Sequence, residues 1–140
     1  MINYVFLGSV FFMSDNLFYI VAGDEMQKMM NLKFPDREII PFREDFSKGE
    51  YFGFDLNSQF INDRAEFWNV SIDEYTKKFL PIMNLDISNE YILCFGECEC
   101  CKANLKFMLG YLKHKGYTHS IKIQILNEYT LELMKEYYEV

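Results

Sequence analysis

Four cysteines fall within eight residues of one another: Cys94, Cys98, Cys100 and Cys101. Cys98 and Cys101 form a C-x-x-C pair where a strand pattern hands over to a helix pattern. A helix N-terminus favours thiolate over thiol, so this position suits redox work. The run CFGECECCK (residues 94–102) looks like the active-site stretch of thioredoxins. The rest of the chain does not follow through, because thioredoxin-type sites use a later proline opposite the disulfide and none follows Pro81. Zinc would draw on all four sulfurs. Structural zinc sites join two separated ligand pairs, whereas Cys94 belongs to the strand and the adjacent Cys100 and Cys101 diverge. Buried or incidental thiols are the simplest reading, and no metal site is expected.

The second chemical group is charged. Arg64 interrupts an apolar helical stripe of Phe60, Ile61, Phe67 and Trp68. A guanidinium there needs a carboxylate, an anionic ligand or an escape to solvent. Asp45 or Asp24 would supply a structural ion pair, and an anionic ligand is the alternative. Arg43, Asp45, Asp24 and Glu97 all follow apolar runs that read as strands, so they would gather at the carboxyl ends of a sheet, where open α/β folds bind ligands. Arg43 and Arg64 would then engage an anion. Asp24, Asp45 and Glu97 would orient hydroxyls or the arginines, Cys98 would border the site, and Trp68 would form an apolar wall. On this expectation Arg64→Ala abolishes ligand binding and leaves the fold largely intact.

The elements that must position these residues read as follows. Residues 91–95 form a short apolar run ending at Gly96, followed by a helical stripe of Cys101, Leu105, Met108, Leu109 and Leu112 that stops at Lys113, His114, Lys115 and Gly116. Residues 17–22 form a central strand, and Asp24 with Gln27 make a capping box for a helix bearing Met26, Met29 and Met30. Residues 38–42 form a strand whose Pro41 marks an early end or an edge. Asn57 or Ser58 caps the Arg64 helix, and Ser71 with Glu74 caps the next, with Val70 and Tyr75 as a hydrophobic staple. Residues 120–126 alternate as a half-solvated strand. Asn127 would cap a last helix bearing Leu131, Leu133, Met134, Tyr137 and Tyr138. His114 and His119 have no nucleophile or metal partner in the pattern.

At 140 residues the chain fits one α/β domain, 1–140, with a mainly parallel, Rossmann-like sheet flanked by helices. The apolar segment 1–13 lacks a signal peptide's charged start and is too short to span a membrane. It reads as an extra strand added to a sheet edge, or as a hairpin turning at Gly8-Ser9. A net charge of −7 with no basic stripe argues against nucleic acid. The clustered cysteines suit a reducing, cytoplasmic setting. There is no GxGxxG or P-loop cradle for a nucleotide. No complete catalytic motif is present, so whether the protein is an enzyme, and with what cofactor, is not read from the sequence. Beside the leading reading, a domain that binds a small polar or anionic ligand at the carboxyl ends of the strands, stand two alternatives: a protein-interaction module with an acidic, aromatic-rich surface and a homodimer contact through its first strand, and a thiol redox protein using Cys98 and Cys101.

Four stretches together resemble one bacterial family, the domain of unknown function numbered eighteen thirty-five. They are YIVAGDE (residues 19–25), FREDFSKG (42–49), Arg64 with Trp68, and Cys94-Phe95-Gly96 leading to Cys98, Cys101 and Asn104. The match spans about residues 17–127, and 42–49 is its most specific part. The resemblance implies an α/β domain with polar residues gathered at one end of the sheet, and it implies no reaction. Cys98 stands where the family has an aspartate, Cys94 where it has a tryptophan, and Glu44 where it has the first loop aspartate.

Overall fold

The computed structural model describes residues 3–7, 10–14 and 17–139. Leu17–Val21 (β3) is apolar throughout because both of its faces are covered. Ile20 enters a core cluster on one face, and Tyr19 and Val21 enter a second cluster on the other. β3 lies between Glu38–Pro41 (β4) and Glu90–Phe95 (β5), parallel to both. Ile121–Leu126 (β6) extends the parallel sheet, and Leu133–Glu139 (β7) closes it antiparallel. The order is β4-β3-β5-β6-β7. This is the single α/β domain expected from the strand patterns, and Pro41 ends an edge strand, where its missing N–H costs no ladder bond.

The chain leaves β3 towards β4 and later returns past β3 to β5, so the winding direction reverses between β3 and β5. Right-handed crossovers then require helices on both faces. Asp24–Lys33 (α1) covers the Tyr19 and Val21 face. Ser58–Trp68 (α2), Ile72–Met83 (α3) and Glu99–His114 (α4) pack on the other. Their ends are written in the sequence. Asn57 Oδ1 accepts from the Phe60 N–H at 3.0 Å and Ser71 Oγ from the Glu74 N–H at 3.0 Å. At the far end of α4, Tyr117 N–H reaches Leu112 O and Gly116 N–H reaches Lys113 O, with Gly116 at φ +85°. That is the Schellman closure expected of the glycine.

Three expectations need correction. Asp24 does not cap α1: Gly23 occupies the cap at φ 118°, ψ −172°, a conformation open to glycine, and Asp24 sits in the first helical turn. The last element is strand β7. Asn127 Oδ1 accepts from the Tyr129 and Thr130 N–H groups and so closes a tight turn rather than starting a helix. Of the two readings of the N-terminal segment, the edge strand is the one corrected: Asn3–Leu7 (β1) does not join the main sheet but pairs antiparallel with Val10–Ser14 (β2), as the hairpin reading expected. Gly8 and Ser9, read as its turn, lie outside the described residues. Among the described residues no helix is long and apolar enough to cross a membrane.

Candidate functional site

The carboxyl ends of β3, β4, β5 and β6 deliver Gly23-Asp24, Phe42-Arg43, Gly96-Glu97 and Asn127-Glu128 to one edge of the sheet. The segment after β4 is the most heavily constrained. It continues extended, so that Phe42, Glu44 and Phe46 face inward: Phe42 and Phe46 are buried, and the Glu44 side chain is fully enclosed. Phe46 stacks on Phe107 of α4 at 4.0 Å between ring centroids. Asn104, also buried, grips the same segment, donating to Glu44 O at 2.7 Å and accepting from the Phe46 N–H at 2.9 Å.

Arg64 is completely buried, and its partner is Glu44, not Asp45 or Asp24. Nε donates to Glu44 Oε2 at 2.7 Å and Nη2 to Oε1 at 2.8 Å, the bidentate pairing that suits a planar guanidinium. The remaining donors go to the carbonyls of Asp45 (3.1 Å), Lys48 (2.9 Å) and Glu50 (3.2 Å). All five N–H groups are therefore used. Phe46 and Phe67 lie against its faces, 4.8 and 5.2 Å from the guanidinium carbon. Gly49, at φ +72°, passes so close that a Cβ there would lie 2.8 Å from Arg64 Nη1 and 2.9 Å from the Phe67 ring. The anion contact expected of Arg64 has no donor left to make it. The residue holds the 42–50 segment together.

Glu44 receives more than Arg64 gives. Trp68 Nε1 donates to it at 2.8 Å, the Tyr75 hydroxyl at 2.6 Å and the Asp45 N–H at 2.7 Å. Burial alone would raise its pKa, but the hydrogen bonds from Arg64, Tyr75 and Asp45 outweigh that and hold the carboxyl below the ordinary glutamate range. Burial and the facing Glu44 charge both push the Tyr75 hydroxyl up, so it stays a neutral donor. Linkage fixes the sign of the pH effect. A depressed folded pKa contributes stability that is fully present above the unfolded glutamate value and is lost as pH falls through the folded value. Wild-type protein should therefore lose more stability than Glu44→Gln on acidification from pH 6 to about 3, as read by urea midpoints, since the ordinary carboxylate values lie at about 4. Parallel midpoints for the two proteins would refute it.

Outside this buried network lies a pocket of about 290 Å³, lined by Arg43, Glu44, Asp45, Trp68, Val70, Tyr75 and Lys78. Arg43 leans across to Asp24, Nε to Oδ1 at 2.8 Å, and its terminal nitrogens have no partner among the described residues. Asp45 accepts from the Ser47 N–H and hydroxyl. Burial opposes ionisation of Asp45, yet the Ser47 bonds, with help from Cys100 and Lys48, hold its pKa below the ordinary aspartate value. Of the residues expected to form a site, Arg43, Asp45 and Trp68 share this pocket, Asp24 holds Arg43, and Arg64 lies behind it. Glu97 and Cys98 are exposed at the end of β5 and take no part in the lining.

The cysteines do not converge as a four-sulfur set. Cys94 points to the α1 face, within 3.5 Å of Gln124 Oε1, and burial pushes its thiol up to about 12. Cys100 turns towards Asn104 and Asp45, and burial together with the Asp45 charge pushes it up to about 12 as well. Cys98 caps α4, its sulfur accepting the Cys101 N–H at 3.3 Å. Cys101 is buried, with its Sγ 3.5 Å from Glu128 Oε1, and burial and the neighbouring Cys98 raise its pKa. All four are free thiols.

Comparison with family models, curated proteins and solved structures gives no match. The residues that sequence reasoning missed are Glu44, Tyr75, Lys78, Asn104 and Glu128. A signal existed for Glu44: the alternation Phe42, Glu44, Phe46 continues the inward face of the preceding strand. Val70 and Tyr75 were read as a staple, and they also form the pocket wall.

Proposed function

We propose that this domain binds a small anionic ligand with an apolar or aromatic body in the pocket at the carboxyl end of β4. The observation that carries this is the meeting of two cations, Arg43 and Lys78, with a wall of Trp68, Val70 and Tyr75 around about 290 Å³. Specific small-molecule sites combine a concave apolar wall with a few placed polar groups. Arg43 can present its terminal nitrogens as a fork to a carboxylate or phosphate while Asp24 fixes its Nε. Lys78, mostly exposed on α3 and only loosely paired with Glu74 at 4.0 Å, adds a second charge. Asp45 accepts a ligand hydroxyl. The Glu44 charge behind the wall is matched by Arg64, so it does not repel the anion. Four free thiols suit work in a reducing compartment.

A thermal-shift screen of carboxylated and phosphorylated metabolites tests the reading. A ligand at 100 times its Kd should stabilise the protein by about 2.7 kcal/mol. The shift should shrink in both Arg43→Gln and Lys78→Gln, whose side chains lie outside the buried network. A shift of full size in both variants, or none with any anion, would count against the pocket.

A further inference from the structure

We infer that Cys98, Cys101 and Glu128 form a binding site for a thiophilic divalent cation, with zinc the best fit, at the ends of β5 and β6. The ligand atoms of these three residues lie within 4.8 Å of one another. Tetrahedral zinc, with Zn–S of about 2.3 Å and Zn–O of about 2.0–2.2 Å, holds its ligand atoms about 3.4–3.8 Å apart. The Cys101–Glu128 separation of 3.5 Å already meets that spacing. The remaining separations, up to 4.8 Å, would have to shorten by about 1 Å on binding, and Cys98 is exposed.

Three features show that the arrangement is built. The backbone that carries Glu128 is placed by its turn: Asn127 Oδ1 holds the N–H groups of Tyr129 and Thr130, and the Asn127 carbonyl accepts from the Leu131 N–H. Gly96 makes room for it, since a Cβ at that position would overlap the Glu128 carboxylate. Charge is the third feature. Among the described residues no lysine, arginine or histidine pairs with Glu128, and Lys102, the nearest in sequence to the two cysteines, pairs with Glu99. A carboxylate against two thiols, with no cation of the protein to offset it, gains from a bound dication.

The thiols select the ion. Two sulfurs and one carboxylate favour zinc over magnesium or calcium, which take oxygen ligands. On binding, two S–metal bonds and one O–metal bond form, water leaves the ion, and the two thiol protons pass to solvent. Three protein ligands would leave a fourth position open to water.

Cobalt(II) is the probe. Reduced, chelator-treated full-length protein should take up one equivalent, with a thiolate-to-cobalt charge-transfer band in the near ultraviolet and the visible bands of a tetrahedral site. Zinc should displace it. Cys98→Ser, at an exposed position, should abolish most of the band, and Glu128→Gln should weaken binding by at least about tenfold, the lower range for disturbing a metal's outer shell. Cys100→Ser and Cys94→Ser should leave both unchanged. Circular dichroism of each variant separates lost ligation from lost folding. Absence of the band in folded wild-type protein, an unaltered affinity in Glu128→Gln, or loss of the band in folded Cys100→Ser would each overturn the site.

Discussion

Arg64→Ala should lower the unfolding free energy by about 3–5 kcal/mol, the usual cost of removing one partner from a buried ion pair. The reason is visible in what the guanidinium leaves behind. Glu44 would keep a charge inside the protein with its two strongest donors gone, and the carbonyls of Asp45, Lys48 and Glu50 would each lose a donor. Since a whole domain is stable by about 5–15 kcal/mol, the variant should approach the threshold of folding at moderate temperature. Arg64→Lys should recover only part of the loss, because an ammonium offers three donors from one point where the fork offers five in a plane. Urea unfolding reads both values. A loss below about 1 kcal/mol, the ordinary worth of a surface pair, would mean that the contact is not the keystone described. This reverses the expectation drawn from sequence, that the alanine variant would fold normally and fail only to bind.

Phe107→Ala should cost about 3–5 kcal/mol, the range for emptying a buried phenylalanine site. Phe107 is fully buried, and the rings of Phe42, Phe46, Tyr51, Phe54, Phe60, Phe79 and Tyr111 surround it. The effect should reach beyond the core. Phe46 stacks on this ring, and its N–H is held by Asn104 one turn earlier on the same helix. A cavity there removes the floor on which the 42–50 segment rests. Hydrogen exchange at the Phe46 amide should therefore speed up more than global destabilisation alone requires, because a local opening becomes cheaper. Exchange that merely tracks the global stability would show that the loop does not depend on the ring.

Much of this architecture is legible in the chain because the signals are local. The continuous apolar runs of β3 and β5 announce strands covered on both faces, Asn57 and Ser71 announce helix starts, and Gly116 announces a stop. β7 is not legible for a physical reason. Its residues LMKEYYE are mostly exposed, so neither a period of two nor one of 3.6 is imposed on them, and pairing to β6 decides the outcome. Asn127 misleads because the same side-chain acceptor closes a turn or caps a helix. At the site, the sequence shows that Arg64 must find a partner and leaves open which one. Glu44 lies 20 residues away and is chosen by the inward face of an extended segment, while its neighbour Asp45 turns outward to Ser47. Glu128 offers no local signal, because it meets Cys101 only after β6 has been laid beside β5.

Trp68 is the only tryptophan in the chain, and it stands between the buried carboxylate and the pocket. Its indole N–H is tied to Glu44, while about a third of the residue remains open to solvent. Light that excites indole selectively thus interrogates a single place in the molecule. Emission colour and quenching by small solutes report the wetness of the pocket wall, and the same signal registers rupture of the Glu44 hydrogen bond. The protein carries its own optical gauge at the position where occupancy and local order are both decided.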